Sequence, residues 1–209
     1  WRRRRASADV RSRSRDSTDA NTTSVAITAV GGIAALVTSR GVAEEMLRAI
    51  ETAQCELAIL DEHCAELIAA ALQMPRIVIG QDYEALTTPQ SGLTFDPEPM
   101  TPEDGGIVLF TSGTTGFPKA ALLSQGALAH SVSIAAFMGL VQDARYEEET
   151  GVILPEGSRS MATPAVILGP MFHLSGIMPI FRAISLGTTI HIMTKWSADI
   201  AFDMIETVG

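Results

Sequence analysis

Cysteine is nearly absent from this 209-residue sequence, which contains only Cys55 and Cys64. Two cysteines are too few for a disulfide framework, and their spacing is not that of a metal site. Cys64 falls on the same face of a predicted helix as Leu67 and Ile68, which indicates a small core residue. This cysteine usage is typical of a reducing compartment, and we expect a cytoplasmic protein.

Long uninterrupted apolar stretches are also absent. A membrane-spanning helix needs about 20 apolar residues, and the longest candidate, residues 162–186, is interrupted by prolines, a histidine and an arginine. Hydrophobic residues still make up 46% of the chain, which is enough for a sizeable core. The sequence therefore predicts a soluble protein without a transmembrane segment, and it does not indicate an oligomeric state.

Basic residues are scarce outside the N-terminus. Residues 1–20 contain seven arginines and three aspartates, whereas the other 189 residues contain eight basic and 21 acidic side chains. A body this acidic repels the backbone of a polynucleotide, so nucleic acid is not an expected partner. A small nucleotide stays compatible with this charge, because a local site can hold it.

Residues 1–22 are rich in Arg, Ser, Asp and Thr and lack apolar periodicity, which predicts a disordered or displaced end. A nucleic-acid-binding arm and a transit peptide are alternatives for the arginine run. The first residue is tryptophan and acids occur early, which argues against a transit peptide. We interpret the segment as a clipped or mistranslated edge of a longer protein.

From residue 23 onward, apolar runs alternate with segments of helical spacing. This alternation is typical of an α/β fold whose parallel strands are joined by right-handed crossovers. Residues 81–104 are predicted to form a long loop, and residues 141–162 a polar, irregular surface insertion. Apolar runs at 25–30 and 34–37 come first, followed by predicted strands at 57–60, 75–79, 106–111, 120–123, 164–168 and 188–193. Helices are predicted near 42–50, 61–72, 124–136, 175–186 and 197–208.

A ligand-binding or catalytic function is indicated by residues 111–120, Thr-Ser-Gly-Thr-Thr-Gly-Phe-Pro-Lys-Ala, which follow a predicted buried strand. Glycine permits positive φ and close approach, so successive backbone N–H groups can face one anion. Hydroxyls add further donors, and Lys119, one of only two lysines, adds a mobile positive charge. Such a loop is suited to hold a polyphosphate. Its hydroxyl and glycine residues are Thr111, Ser112, Gly113, Thr114, Thr115 and Gly116.

A Walker-type P-loop is also rich in glycine and ends in lysine, but its pattern is Gly-x-x-x-x-Gly-Lys-Ser/Thr. Here Pro118 precedes Lys119 and Ala120 follows it. The hydroxyl that would ligate Mg²⁺ is therefore missing from its required place, and the P-loop interpretation fails.

Residues 111–120 resemble, at every position, the signature loop of adenylate-forming enzymes, [ST]-S-G-[ST]-T-G-x-P-K-[GA]. This superfamily comprises acyl-CoA synthetases, adenylation domains of peptide synthetases and firefly luciferase. A second stretch, Gly-Pro-Met-Phe-His-Leu-Ser-Gly at 169–176, resembles the family's second core motif, an aromatic–histidine pair that opens a helix beside the acyl pocket. This resemblance implies that His173 lines the substrate site. With a weak likeness at residues 29–46, the resemblance covers residues 23–209.

The resemblance implies part of the large N-terminal α/β domain of an AMP-forming acid–CoA ligase of the acyl-CoA synthetase type. ATP and a carboxylic acid, expected to be a fatty acid, would give an acyl-adenylate and pyrophosphate, and coenzyme A would then displace AMP. The loop would bind the β- and γ-phosphates, Lys119 would act in catalysis, and Mg²⁺ would share the phosphate charge. No side chain is assigned as a metal ligand.

Several of the family's motifs have no counterpart in the sequence. These are Tyr-Gly-x-Thr-Glu, Thr-Gly-Asp, the hinge, and the small C-terminal domain with its lysine, since Lys195 has a different context. We therefore expect that the chain alone does not complete adenylation. One reading is a fragment of an active fatty-acid ligase, aryl-CoA ligase or peptide-synthetase adenylation domain. The other is a non-catalytic or vestigial nucleotide-binding module.

Overall fold

The structure, a computed structural model, describes residues 6–11, 17–88, 99–111, 118–160, 162, 164–167, 169–193 and 197–208. The chain forms two compact units, one ending at Gly126 and the other beginning at Ala127. Strands and helices are mixed in both units, which confirms the predicted α/β class.

A six-stranded sheet forms the centre of the first unit, in the order β4-β3-β1-β2-β5-β6. Strands β1 to β5 pair in parallel, and β6 pairs antiparallel to β5. The strands are β1 (Ala6–Arg11), β2 (Ile33–Thr38), β3 (Cys55–Leu60), β4 (Arg76–Val78), β5 (Gly105–Thr111) and β6 (Lys119–Ser124). The helices are α1 (Ser17–Ala29), α2 (Ala43–Thr52), α3 (Glu62–Ile68) and α4 (Tyr83–Thr87).

The core of the first unit joins α2 and α3 to the sheet. Met46 and Ile50 of α2, and Cys64 and Ile68 of α3, are buried in one cluster with the side chains of β2 and β3. The first five residues of β2 are all buried, because a strand within a parallel sheet is covered on both faces. This explains the continuous apolar run at 34–37, and the predicted core role of Cys64 is confirmed.

Among its described residues, the second unit contains four helical segments and a short sheet. The helical segments are α5 (Gln125–Thr150), a 3-10 helix (Glu156–Ser158), α6 (Leu174–Leu186) and α7 (Ala198–Val208), and the strands are β7 (Ala165–Ile167) and β8 (Ile190–Ile192). Strands β7 and β8 pair in parallel. The buried residues of α6 include Ile177, Ile180 and Ala183, and Ile167 of β7 is buried as well.

One helix among the described residues, α5, is long and apolar enough to cross a membrane by length and composition alone. This is weak evidence for a membrane span, because core helices of soluble proteins pass the same test. The stretch at 162–186, which the sequence offers as the longest apolar candidate, contains β7 and the whole of α6 instead.

The N-terminal residues differ from their prediction. Where the sequence predicts a disordered end at residues 1–22, the structure has β1 in the interior of the sheet, paired with β2 on one side and β3 on the other. Helix α1 then begins at Ser17. Pairing with two neighbouring strands satisfies the backbone N–H and C=O groups of β1, and apolar periodicity carries no signal of that pairing.

Two predicted irregular segments contain helix. The polar insertion predicted at 141–162 is helical up to Thr150, because α5 continues through it. Arginine and glutamate are good helix formers, and Arg145 lies 3.4 Å from Glu149 one turn later. Helix α4 lies within the loop predicted at 81–104. In both segments most of the described helical residues are exposed to solvent.

Candidate functional site

The hairpin of β5 and β6 holds both ends of the signature loop. The two strands are antiparallel, and Thr111, the last residue of β5, is the register partner of Lys119, the first residue of β6. The strand and the returning strand predicted on either side of the loop are therefore confirmed. The two ends of the loop are fixed by sheet pairing.

The position of the hairpin follows from how β5 fits into the sheet. Ile107 and Val108 are buried, and β5 runs parallel to β2. A Cβ atom on Gly105 would lie 2.7 Å from Cδ1 of Ile33 and 3.3 Å from Cδ1 of Leu122, so only glycine fits without displacement. Thr111 thus ends a parallel strand at its carboxyl end, the edge where α/β sheets bind ligands.

The side chains of Thr111 and Lys119 differ in the hydrogen bonds and ion pairs that they form. The Thr111 hydroxyl donates a long hydrogen bond of 3.4 Å to the Lys119 carbonyl, which helps to close the hairpin. The Lys119 side chain is exposed and forms no ion pair with another described residue. An exposed ammonium group without a carboxylate partner is available to an anionic ligand.

The remaining residues of the signature loop lie outside the described part of the chain. Ser112, Gly113, Thr114, Thr115 and Gly116 therefore stay predictions as phosphate-binding residues. Lys195, the other lysine, also falls outside it.

His173 is the N-cap of α6 and uses one ring nitrogen for that purpose. Its Nδ1 atom accepts a hydrogen bond of 3.3 Å from the backbone N–H of Ser175 and lies 2.9 Å from the Ser175 hydroxyl. Because a backbone N–H donates to Nδ1, the neutral ring carries its proton at Nε2. His173 is exposed, so this Nε2–H group is a donor available to a ligand.

Two glycines allow the turn that presents His173. The His173 N–H donates to the Pro170 carbonyl over 3.0 Å, and a Cβ atom on Gly176 would collide with that same carbonyl oxygen. A Cβ atom on Gly169 would collide with the Ser175 side chain. Sequence reasoning assigned no role to these glycines or to Ser175, although the spacing Gly-x-x-x-His-x-x-Gly in the second motif was visible.

The candidate residues belong to different units, since Thr111 and Lys119 precede Gly126 and His173 follows it. Within the described residues, no group of three or more His, Cys, Asp or Glu side chains could hold a metal ion. Mg²⁺ in nucleotide sites keeps several waters and binds phosphate oxygens with one or two carboxylates. A nucleotide-bound Mg²⁺ therefore does not require such a group.

A family model described as AMP-binding enzyme matches residues 13–209. Among curated proteins, indoleacetate–CoA ligase of Aromatoleum aromaticum is 36% identical over 126 residues, which is 59% of this chain and 21% of that protein. A 2-succinylbenzoate–CoA ligase of Bacillus cereus is 24% identical over 185 residues, which is 88% of this chain and 33% of that protein. The chain thus spans a third or less of the length of these relatives.

Solved structures share the fold. O-succinylbenzoate coenzyme A synthetase from Bacillus subtilis, in complex with ATP and magnesium ion, has a TM-score of 0.69 at 17% identity, over 99% of this chain and 49% of that chain. The luciferase-like enzyme of the nonluminescent mealworm Zophobas morio has a TM-score of 0.76 at 18% identity, over 96% and 45%.

Proposed function

Because the chain belongs to the AMP-binding enzyme family, we propose that it supplies the ATP-binding part of an acid–CoA ligase (AMP-forming). The observation that supports this most is the β5–β6 hairpin, which brings Thr111 and Lys119 together at the ends of a loop with the family's signature. The curated relatives named above are CoA ligases by name. A cytoplasmic location fits two buried cysteines that are not joined by a disulfide.

The proposed reaction has two steps. A carboxylate oxygen attacks the α-phosphorus of ATP and pyrophosphate leaves, which gives an acyl-adenylate. The thiol of coenzyme A then attacks the acyl carbon, and AMP leaves with the electrons of the broken bond. The first step develops negative charge on pyrophosphate, so fixed donors and cations near it lower the barrier.

We assign to Lys119 the neutralisation of the negative charge that develops on pyrophosphate. Its ammonium is exposed at the start of β6 and has no carboxylate partner among the described residues. It would therefore not have to leave an ion pair before it binds the β- and γ-phosphates. When bound with ATP, Mg²⁺ supplies further neutralisation of the phosphate charge. The loop residues from Ser112 to Gly116 would add backbone and hydroxyl donors.

We assign to His173 the binding of the carboxylic acid substrate. Capping holds Nδ1, so Nε2–H is left to donate to a carboxylate oxygen or to an oxygen of the adenylate. Because the ring is fixed by a backbone hydrogen bond, little conformational entropy is lost when it binds the substrate.

We propose a carboxylic acid with an apolar body as the substrate, with a fatty acid as the first candidate from the sequence and an aryl-substituted acid as the second. The names of the relatives, which contain indoleacetate and succinylbenzoate, favour the second candidate. Both classes combine a carboxylate with an apolar body, so a single substrate panel covers them.

Carboxylate-dependent exchange of labelled pyrophosphate into ATP tests the proposal in a longer protein that joins this chain to the family's remaining motifs, because the chain alone is not expected to complete adenylation. The panel contains hexadecanoate, indoleacetate and 2-succinylbenzoate. The control for each acid is its methyl ester, the dimethyl ester for 2-succinylbenzoate, which has no carboxylate to attack phosphorus. Exchange stimulated by an acid and not by its ester supports the ligase. ATP binding without exchange for any acid would instead indicate a non-catalytic nucleotide-binding module.

A further inference from the structure

The chain between α5 and β7 returns along α5 and is fixed to it. We name residues 151–160 the strap. Gly139, Asp143 and Glu147 are spaced four apart, so they share one face of α5, and each of them meets the strap. A Cβ atom on Gly139 would lie 3.0 Å from the Ser160 Cβ, and Glu147 accepts a hydrogen bond of 2.9 Å from the Leu154 N–H.

Asp143 contacts the strap through a buried carboxylate. Its side chain is only 5% exposed, and its two oxygens lie 3.2 Å and 3.0 Å from the backbone nitrogen of Ser160. The Ser160 hydroxyl also donates to Asp143. Burying a carboxylate is costly unless donors replace its water, and Ser160 supplies two of them. The strap therefore has one preferred position on α5.

The strap is also bound to α6. Arg182, on the second half of α6, donates to the Ser160 carbonyl, so the same residue binds α5 through its N–H and hydroxyl and α6 through its carbonyl. Beside it, Arg159 forms an ion pair of 2.9 Å with Glu147 of α5. Ser160 is the point at which the two helices are joined through polar groups.

We propose that the strap positions His173. Helix α6 begins at Leu174 with His173 as its cap and continues past Pro179 to Leu186, so the cap and Arg182 belong to one helix. Fixing Arg182 to the strap fixes the orientation of α6 and therefore the direction of the exposed Nε2–H. Asp143, Ser160 and Arg182 are positioning residues that act through His173. Only the catalytic consequence of this role rests on the proposed function.

Hydrogen exchange of the 209-residue chain tests the mechanical part. In Asp143→Ala, the amides of Ser160, His173 and Ile177 are expected to exchange about tenfold faster. The amide of Ile79, which donates to Leu60 in the other unit, is expected to stay unchanged. Faster exchange at Ser160 alone would overturn the proposal, because loosening the strap would then leave α6 unaffected.

Gly139→Ala is the second variant, in case Asp143→Ala does not fold. Alanine favours the helix more than glycine does, but its methyl group displaces Ser160. The same three amides are expected to exchange faster, and unchanged amides at His173 and Ile177 would contradict the proposal. Glu148→Gln, an exposed charge change on the same helix, is the control that leaves all amides as they were.

Kinetics separate positioning from general destabilisation. In pyrophosphate exchange by that longer protein, Gly139→Ala and Asp143→Asn are expected to raise KM for the acid about tenfold, with KM for ATP and kcat changed less than about twofold. Equal losses in both KM values or in kcat would overturn the role of the strap. If no acid supports exchange, the proposed function fails, and the hydrogen-exchange result still decides whether the strap holds α6.

Discussion

His173 uses one ring nitrogen for folding, and we propose that the other binds the substrate. Nδ1 caps α6 through Ser175, and Nε2 is left exposed as a donor. Asparagine also caps helices well through a side-chain oxygen, whereas alanine does not. The two functions of His173 can therefore be separated by substitution.

Substitution of His173 is expected to affect stability and activity differently. His173→Ala loses the cap and should lower the free energy of unfolding by about 1 kcal/mol, whereas His173→Asn should stay within a few tenths of the wild type. Both variants are expected to lose acid-dependent pyrophosphate exchange, because neither has Nε2–H. Urea unfolding and the exchange assay give the two readouts. Full exchange activity in His173→Asn would rule out the assigned donor.

Cys55 is a buried thiol whose titration is linked to folding. Burial raises the pKa of Cys55 to about 12, from 9.0, because a thiolate is poorly solvated inside the protein. Between these values the folded chain keeps the proton while the unfolded chain loses it. The stabilising contribution is therefore complete below pH 9 and declines as the pH rises toward 12.

Stability is accordingly expected to fall by up to about 1.4 kcal/mol per pH unit from this group between pH 9 and 12. Urea unfolding at pH 8, 9.5 and 10.5 measures the slope, and Cys55→Ala is the reference in which it should be reduced. Parallel pH profiles for the wild type and Cys55→Ala would show that Cys55 does not cause the decline.

At the scale of elements, Gly105 determines how closely β5 and β6 fit into the sheet. A Cβ atom there would meet Ile33 at 2.7 Å, and β5 carries Thr111 at its other end. Gly157, in the 3-10 helix, has nothing within 4 Å of a Cβ atom. The two glycines form a matched pair for the same substitution.

Gly105→Ala is expected to lower the free energy of unfolding by about 1–3 kcal/mol, because the methyl group overpacks the contact with Ile33 and Leu122. Gly157→Ala should change stability by less than about 0.5 kcal/mol. Thermal and urea unfolding of both variants provide the measurement. A neutral Gly105→Ala would mean that the sheet can relax at this position.

Elements with a strong local signal could be predicted from the sequence. Asp61, the first residue of the helix predicted at 61–72, is the N-cap of α3, and its carboxylate accepts a hydrogen bond of 2.8 Å from the Cys64 N–H. The strands β2 to β5 and the helices α2, α6 and α7 likewise coincide with apolar runs or helical periodicity. The hairpin and the N-terminal end of α6, which carry the candidate residues, belong to this predictable set.

The errors arose where tertiary pairing or exposure decides the structure. Strand β1 is stabilised by backbone pairing on both sides. The apolar run at 25–30, to which the sequence assigns no element, lies mostly in α1, which extends to Ala29. A short apolar run does not by itself distinguish strand from helix. The Asp143–Ser160 contact joins residues 17 apart, so no local pattern predicts the strap.

For the whole molecule, the charge balance makes the candidate phosphate site a local exception. The 189 residues after residue 20 contain 21 acidic and eight basic side chains, which oppose binding of an anion in general. Lysine occurs only at positions 119 and 195. We therefore expect binding of ATP to depend on Lys119 and the loop, rather than on overall attraction.

The affinity for ATP in the presence of Mg²⁺, measured by isothermal titration calorimetry, tests this account most directly. Lys119→Ala is expected to raise Kd about tenfold or more, which is at least about 1.4 kcal/mol for a charge-assisted phosphate contact. Lys195→Ala, the same chemical change at the other lysine, should alter Kd by less than about twofold. Equal ATP affinity in the wild type and Lys119→Ala would contradict the assignment of the loop as the ATP site.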